Sequence, residues 1–145
     1  MDALELKMCD IQGRLFELAV KEGYDCEKFV QFFMNSNTAK SLDSKYNRMQ
    51  WAGEEYLLEE VMDEAKGTLK KNESDASKDV MYWIGYIYRY WHYYTDEPST
   101  KIYRQANYKT MKRNYMMFHT LDPEIAIEDL IEINNQKHEK MIPQR

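Results

Sequence analysis

Apolar residues recur at helical spacing through most of the chain. Leu4, Met8, Ile11, Leu15, Phe16 and Ala19 mark one face of a first helix, predicted from about Ala3 to Glu22, with Gly23 ending it. Asp25 caps a short second helix carrying Phe29, Val30, Phe32 and Phe33. Asn35 to Tyr46 is polar without a period and reads as a loop or a broken turn. Trp51, Leu58, Met62, Ala65 and Leu69 form the stripe of a third helix from about Gln50 to Leu69. Lys70 to Ser77 is charged and small, a linker, and Ser77 caps a helix from Lys78 to Tyr94. That helix is apolar nearly all round, which predicts a central buried position. Gly85 in its middle lowers helix stability by about 1 kcal/mol relative to Ala, so another backbone or ring is expected close by. Thr95 to Pro98 breaks the chain. Ser99 then caps a helix to about Gln105, and a turn at Ala106-Asn107 leads into another, to about His119. Asp122-Pro123-Glu124 starts the last helix, with a capping carboxylate, a proline at the first position and an acid on the positive helix end. Ala126, Ile127, Leu130, Ile131 and Ile133 make that helix apolar on one side. The pattern predicts an all-α fold: a single compact bundle of five to seven helices around a central aromatic helix. Residues 1–145 form one domain, and 136–145 form a flexible C-terminal tail.

Composition narrows the class. Only five Gly and three Pro occur, which disfavours turn-rich β architecture. No run of eighteen apolar residues offers a membrane span, and Met1-Asp2-Ala3-Leu4-Glu5 lacks the features of a secretory signal. Cys9 and Cys26 have no metal-ligand spacing and read as reduced thiols in a cytoplasmic protein. The net charge of −5 conceals a split. Ser99 to Leu121 carries Lys101, Arg104, Lys109, Lys112 and Arg113 and no acid, so the remainder carries −10. Such a split fits a nucleic-acid-facing patch, a self-complementary homodimer surface, or a solvated basic face on an acidic protein.

Candidate chemistry concentrates between Val80 and Asp122. In Val80–Tyr94 eight of fifteen residues are aromatic, and Arg89 sits among them. An arginine on so apolar a helix needs a partner if buried, and Glu54, Glu55 or Glu59 could supply it as an ion pair organising the core. Exposed instead, Arg89 would grip an anion or a partner's carboxylate, with nearby aromatics as interface anchors. Arg113-Asn114 followed by four residues and His119 resembles the motif of the HEPN ribonucleases, which are small all-α domains. In that resemblance arginine holds the scissile phosphate and histidine serves as acid or base. A six-residue separation on an unbroken helix keeps the two side chains on different faces, so convergence requires a helix end near Met117 or a dimer partner. A third candidate is the helix–turn–helix-like stretch Ser99–His119, where Tyr108, Lys109, Lys112 and Arg113, with Lys101 and Arg104, would meet DNA phosphates. No P-loop, dinucleotide fingerprint, zinc spacing or nucleophile elbow occurs, so neither a cofactor nor a metal is expected.

Several segments resemble a family of small bacterial proteins encoded beside toxin-like genes, notably ADP-ribosyltransferase-like ones. The matching features are Lys45-Tyr46, Met49-Gln50-Trp51-Ala52, Tyr82 to Tyr90, Ser99, Met111, Tyr115, His119-Thr120 and Asp122. The resemblance implies an antitoxin-like or regulatory protein that occludes a toxin-like partner, and it does not require an arginine at Arg113. The partner-binding residues expected from it and from the aromatic density are Tyr86, Arg89, Trp91, Tyr115, His119 and Thr120. A metal-independent HEPN-like ribonuclease using Arg113 and His119, and DNA binding through the basic segment, are the alternatives.

Overall fold

In the computed structural model, which describes residues 1–45 and 52–141, the chain is all helical. Its elements are α1 (Ala3–Lys21), α2 (Cys26–Met34), α3 (Asn37–Asp43), α4 (Glu54–Ala65), α5 (Lys78–Thr95), α6 (Ser99–Gln105), α7 (Tyr108–Phe118) and α8 (Pro123–Met141). These eight helices exceed the five to seven expected. Pairing outside helices is limited, among the described residues, to one isolated bridge between Tyr24 and Lys71. No helix among them is long and apolar enough to cross a membrane.

Local signals set most helix starts. Asp2 and Glu5 form a reciprocal capping box on α1. The side chains of Asp25, Ser77 and Asn107 accept from the backbone N–H groups of Lys28, Val80 and Thr110, starting α2, α5 and α7. The extra helix is α3, in the stretch expected to be a loop. Ser36 caps it locally, and Glu64 of α4 caps it from outside. One Glu64 oxygen accepts from Asn37 N–H at 2.7 Å and the other from Thr38 N–H at 3.1 Å. A carboxylate at the positive end of a helix satisfies two orphan donors.

Three other boundaries differ from expectation. The start expected for α4 near Gln50, with Trp51 in its stripe, lies outside the described residues. Its end comes earlier than Leu69, because Lys66 turns into the left-handed region at φ 50°. Leu57 and Val61 join Leu58 and Ala65 in its buried face. Pro98, not Ser99, is the cap residue of α6. α8 runs on past Gln136 to Met141, although residues 135–140 are exposed. The 70–77 linker is tied down: Asp25 N–H donates to Lys70 O at 3.1 Å, and Asn72 N–H donates to Gly23 O at 2.9 Å.

Burial of the helix faces produces one continuous apolar cluster. Phe16 meets Phe29 and Phe33 edge-on at centroid distances of 5.5 and 5.4 Å. α1 and α5 pack most extensively, and two glycines allow their close approach. A Cβ on Gly85 would lie 2.5 Å from Gln12 O and 2.8 Å from Phe16 Cγ. One on Gly13 would lie 2.9 Å from Tyr82 O. The absent side chain at Gly85 thus answers to a neighbouring backbone. α5 also packs against α6, α7 and α8, while α7 and α8 make little contact with each other. Between them Tyr82 and Tyr86 of α5 stay half-buried, while Trp83 and Ile87 are buried.

Candidate functional site

Arg89 is fully committed inside the protein. Its side chain is 0% exposed and its Nη1 lies 2.7 Å from Asp43 Oδ1, on the last residue of α3. Nε–H donates to Gln12 Oε1 of α1 at 2.8 Å, and Nη2–H donates to Ser99 Oγ of α6 at 3.4 Å. Gln12 in turn donates to Gly85 O at 3.0 Å. Asp43 also accepts from Ser99 N–H at 2.9 Å and from Ser99 Oγ–H at 2.8 Å, so it supplies the N-terminal cap that Pro98 cannot. His92 Nδ1–H donates to Glu97 O at 2.7 Å, and that nitrogen lies 3.7 Å from Asp43 Oδ1. The network satisfies a buried charge with a carboxylate and neutral acceptors, as burial demands.

This geometry corrects the expected surface. Arg89 and Trp91 are 1% and 0% exposed and cannot meet a partner. Trp91 Nε1–H donates to Glu97 Oε1 at 3.2 Å. The acid paired with Arg89 is Asp43, not Glu54, Glu55 or Glu59. Gln12, Asp43 and Ser99 were missed because their role depends on three elements meeting. Ser99 alone had a signal, as one of the positions that carry the family resemblance.

The remaining expected partner residues gather around one side of α5. A groove of about 260 Å³ is lined by Tyr82, Trp83, Tyr86, Ile87, His119 and Leu121, with Pro123 at its end. Tyr115 stands beside it, with its ring edge-on to Trp83 at 5.7 Å and stacked on His119 at 4.3 Å. His119 follows the last helical residue of α7, and its Nδ1–H donates to Tyr115 O at 2.7 Å. Its Nε2 is thereby left to solvent or a ligand. Thr120 is exposed next to it.

Tyr82, Tyr86, Tyr90 and Tyr94 line α5 at four-residue steps, and three of the four hydroxyls find carboxylates. Tyr82 donates to Asp10, Tyr90 to Glu124 at 3.1 Å and Tyr94 to Glu128. Tyr86 lies between Tyr82 and Tyr90 at centroid distances of 6.0 and 6.2 Å and stays half-buried in the groove. Burial, then the bond to Glu124, pushes the Tyr90 hydroxyl up to about 12.

The nuclease pair and the basic segment fare differently. Arg113 and His119 are both exposed, and α7 runs unbroken between them to Phe118. Six residues of α-helix turn the two side chains roughly 120° apart, so a single chain does not bring them together. The α6–turn–α7 corner forms where expected, and two of its five cations are paired with acids. Lys101 pairs with Glu97 at 3.0 Å and Lys112 with Asp75 at 3.2 Å. Tyr108 is buried and its hydroxyl donates to Asp75 at 2.6 Å. Arg104, Lys109 and Arg113 remain exposed.

Cys9 and Cys26 are both buried free thiols, Cys26 Sγ lying 3.4 Å from Ser74 Oγ, and burial pushes the Cys9 thiol up to about 12. Among the described residues no group of three or more His, Cys, Asp or Glu could hold a metal ion. No protein-family model matches the chain, and neither a curated protein nor a solved structure is significantly similar to it.

Proposed function

We propose that this is an antitoxin-like or regulatory binding protein that covers a toxin-like partner, of the ADP-ribosyltransferase-like kind that the family resemblance implies. The surface assigned to the partner is Tyr86, Tyr115, His119 and Thr120 around the α5 groove. The observation that carries this reading is the groove itself, lined by three aromatic residues of α5 together with His119. Its volume of about 260 Å³ lies below the range of roughly 300–1,000 Å³ usual for small-molecule sites. A single inserted side chain fits that space better than a metabolite. In this reading the molecule is one cytoplasmic bundle organised on the aromatic helix α5, and a groove built on a helix is suited to docking.

Growth on co-expression tests it. The chain alone should be harmless and should rescue cells from the product of the adjacent toxin-like gene. Tyr86→Ala with His119→Ala should weaken the co-purified complex at least tenfold, with unchanged circular dichroism. Growth arrest by the chain alone, relieved in His119→Ala, would overturn the proposal in favour of the ribonuclease.

A further inference from the structure

The outer face of α7 is unlike the rest of the surface. Lys109, Arg113, Met116, Met117 and Thr120 fall on one stripe, and all five are exposed. Met111, Asn114 and Phe118 fill the opposite, buried side. Met116 and Met117 are 76% and 66% exposed, the two most exposed large apolar side chains among the described residues. Exposed methionines are soft, adaptable contact groups and are enriched, with arginine, in protein interfaces. The cations on the stripe are also free. Lys101 and Lys112 have acid partners, whereas Lys109 and Arg113 have none among the described residues. No acid lies anywhere in α7.

We propose that this face docks an apolar protein surface rimmed by carboxylates. The inference rests on the binding-protein reading above and names the chemistry of the partner. Met116 and Met117 enter the apolar centre, while Lys109 and Arg113 meet the acidic rim and discriminate against basic surfaces. A phosphate backbone would engage the two cations but give the methionines nothing to bury against.

The test uses the full chain with methyl-labelled methionines, the two resonances being assigned through Met116→Leu and Met117→Leu. Three probes are titrated: an amphipathic fourteen-residue peptide of Leu and Glu, its counterpart with Lys for Glu, and single-stranded RNA. The Glu peptide should shift both methyls, and Arg113→Glu should weaken its binding at least fivefold. Equal binding of the Lys peptide, shifts with RNA alone, shifts that follow protein concentration without any probe, or no shifts at all would each overturn the assignment. The growth assay separates the two readings. A chain that binds the Glu peptide but rescues nothing keeps this surface and loses the antitoxin role. A chain that rescues growth without binding the peptide does the reverse.

Discussion

Arg89 owes its burial to Gln12, Asp43 and Ser99, contributed by three other helices. Its need for a partner was legible in the sequence, because a guanidinium on so apolar a helix cannot be left alone. The identity of that partner was not. Asp43 sits in a stretch too polar to read as helix, and only the packing of α3 brings its carboxylate inside. Asp43→Ala should lower the free energy of unfolding by about 3–5 kcal/mol, since it strands a buried charge. Asp43→Asn, which keeps an acceptor in place, should lose less. Urea denaturation measures both, and a loss under about 1 kcal/mol for the alanine variant would contradict the network described above. At the same scale His119, expected among the partner-binding residues, stacks on Tyr115 at 4.3 Å. Its exposure became evident only from the end of α7.

Helices show the same division between local and distant causes. α1, α2, α5, α6 and α7 start and end within a few residues of where capping and periodicity place them, because those signals lie within one turn of the boundary. α3 escaped notice because part of its N-terminal cap, Glu64, is 27 residues from Asn37 along the chain. Gly85 illustrates a conflict between levels. Alanine there would favour the isolated helix by about 1 kcal/mol. The added methyl would nevertheless collide with the backbone of α1 at Gln12. Gly85→Ala should therefore destabilise the protein by about 1–3 kcal/mol, the usual range for overpacking. Thermal unfolding with a lowered midpoint is the expected result; a raised midpoint would mean that α1 and α5 can separate freely.

The molecule as a whole buries several tyrosines among its aliphatic core, and its response to alkali follows. Burial raises the hydroxyls of Tyr82, Tyr88, Tyr90, Tyr93 and Tyr108, with carboxylate neighbours adding to the effect at Tyr82, Tyr90 and Tyr108. Each is an acid whose neutral form is favoured in the fold. Their contribution is complete below the unfolded value of about 10 and is lost as pH rises from there toward and beyond 12. Denaturant unfolding should give a constant stability from neutral pH to about 8, a decline as the unfolded Cys9 thiol ionises, and a steeper fall above 10, with Tyr90→Phe reducing the slope of that last part. A flat profile to pH 12 would show that these hydroxyls ionise freely.

The sequence by itself determined the all-helical class and most helix boundaries. Those features depend on periodicity and on caps only a few residues away. Tertiary structure alone decided which of the singled-out residues face inward. Arg89 and Trp91 lie in the core, His119 and Met116 lie outside, and Arg113 and His119 stay apart. One helix has an inside only after its neighbours have packed against it, so residue type and spacing do not specify exposure. The groove follows from the same cause, because its lining from α5, the end of α7 and the segment before α8 meets only in the folded chain.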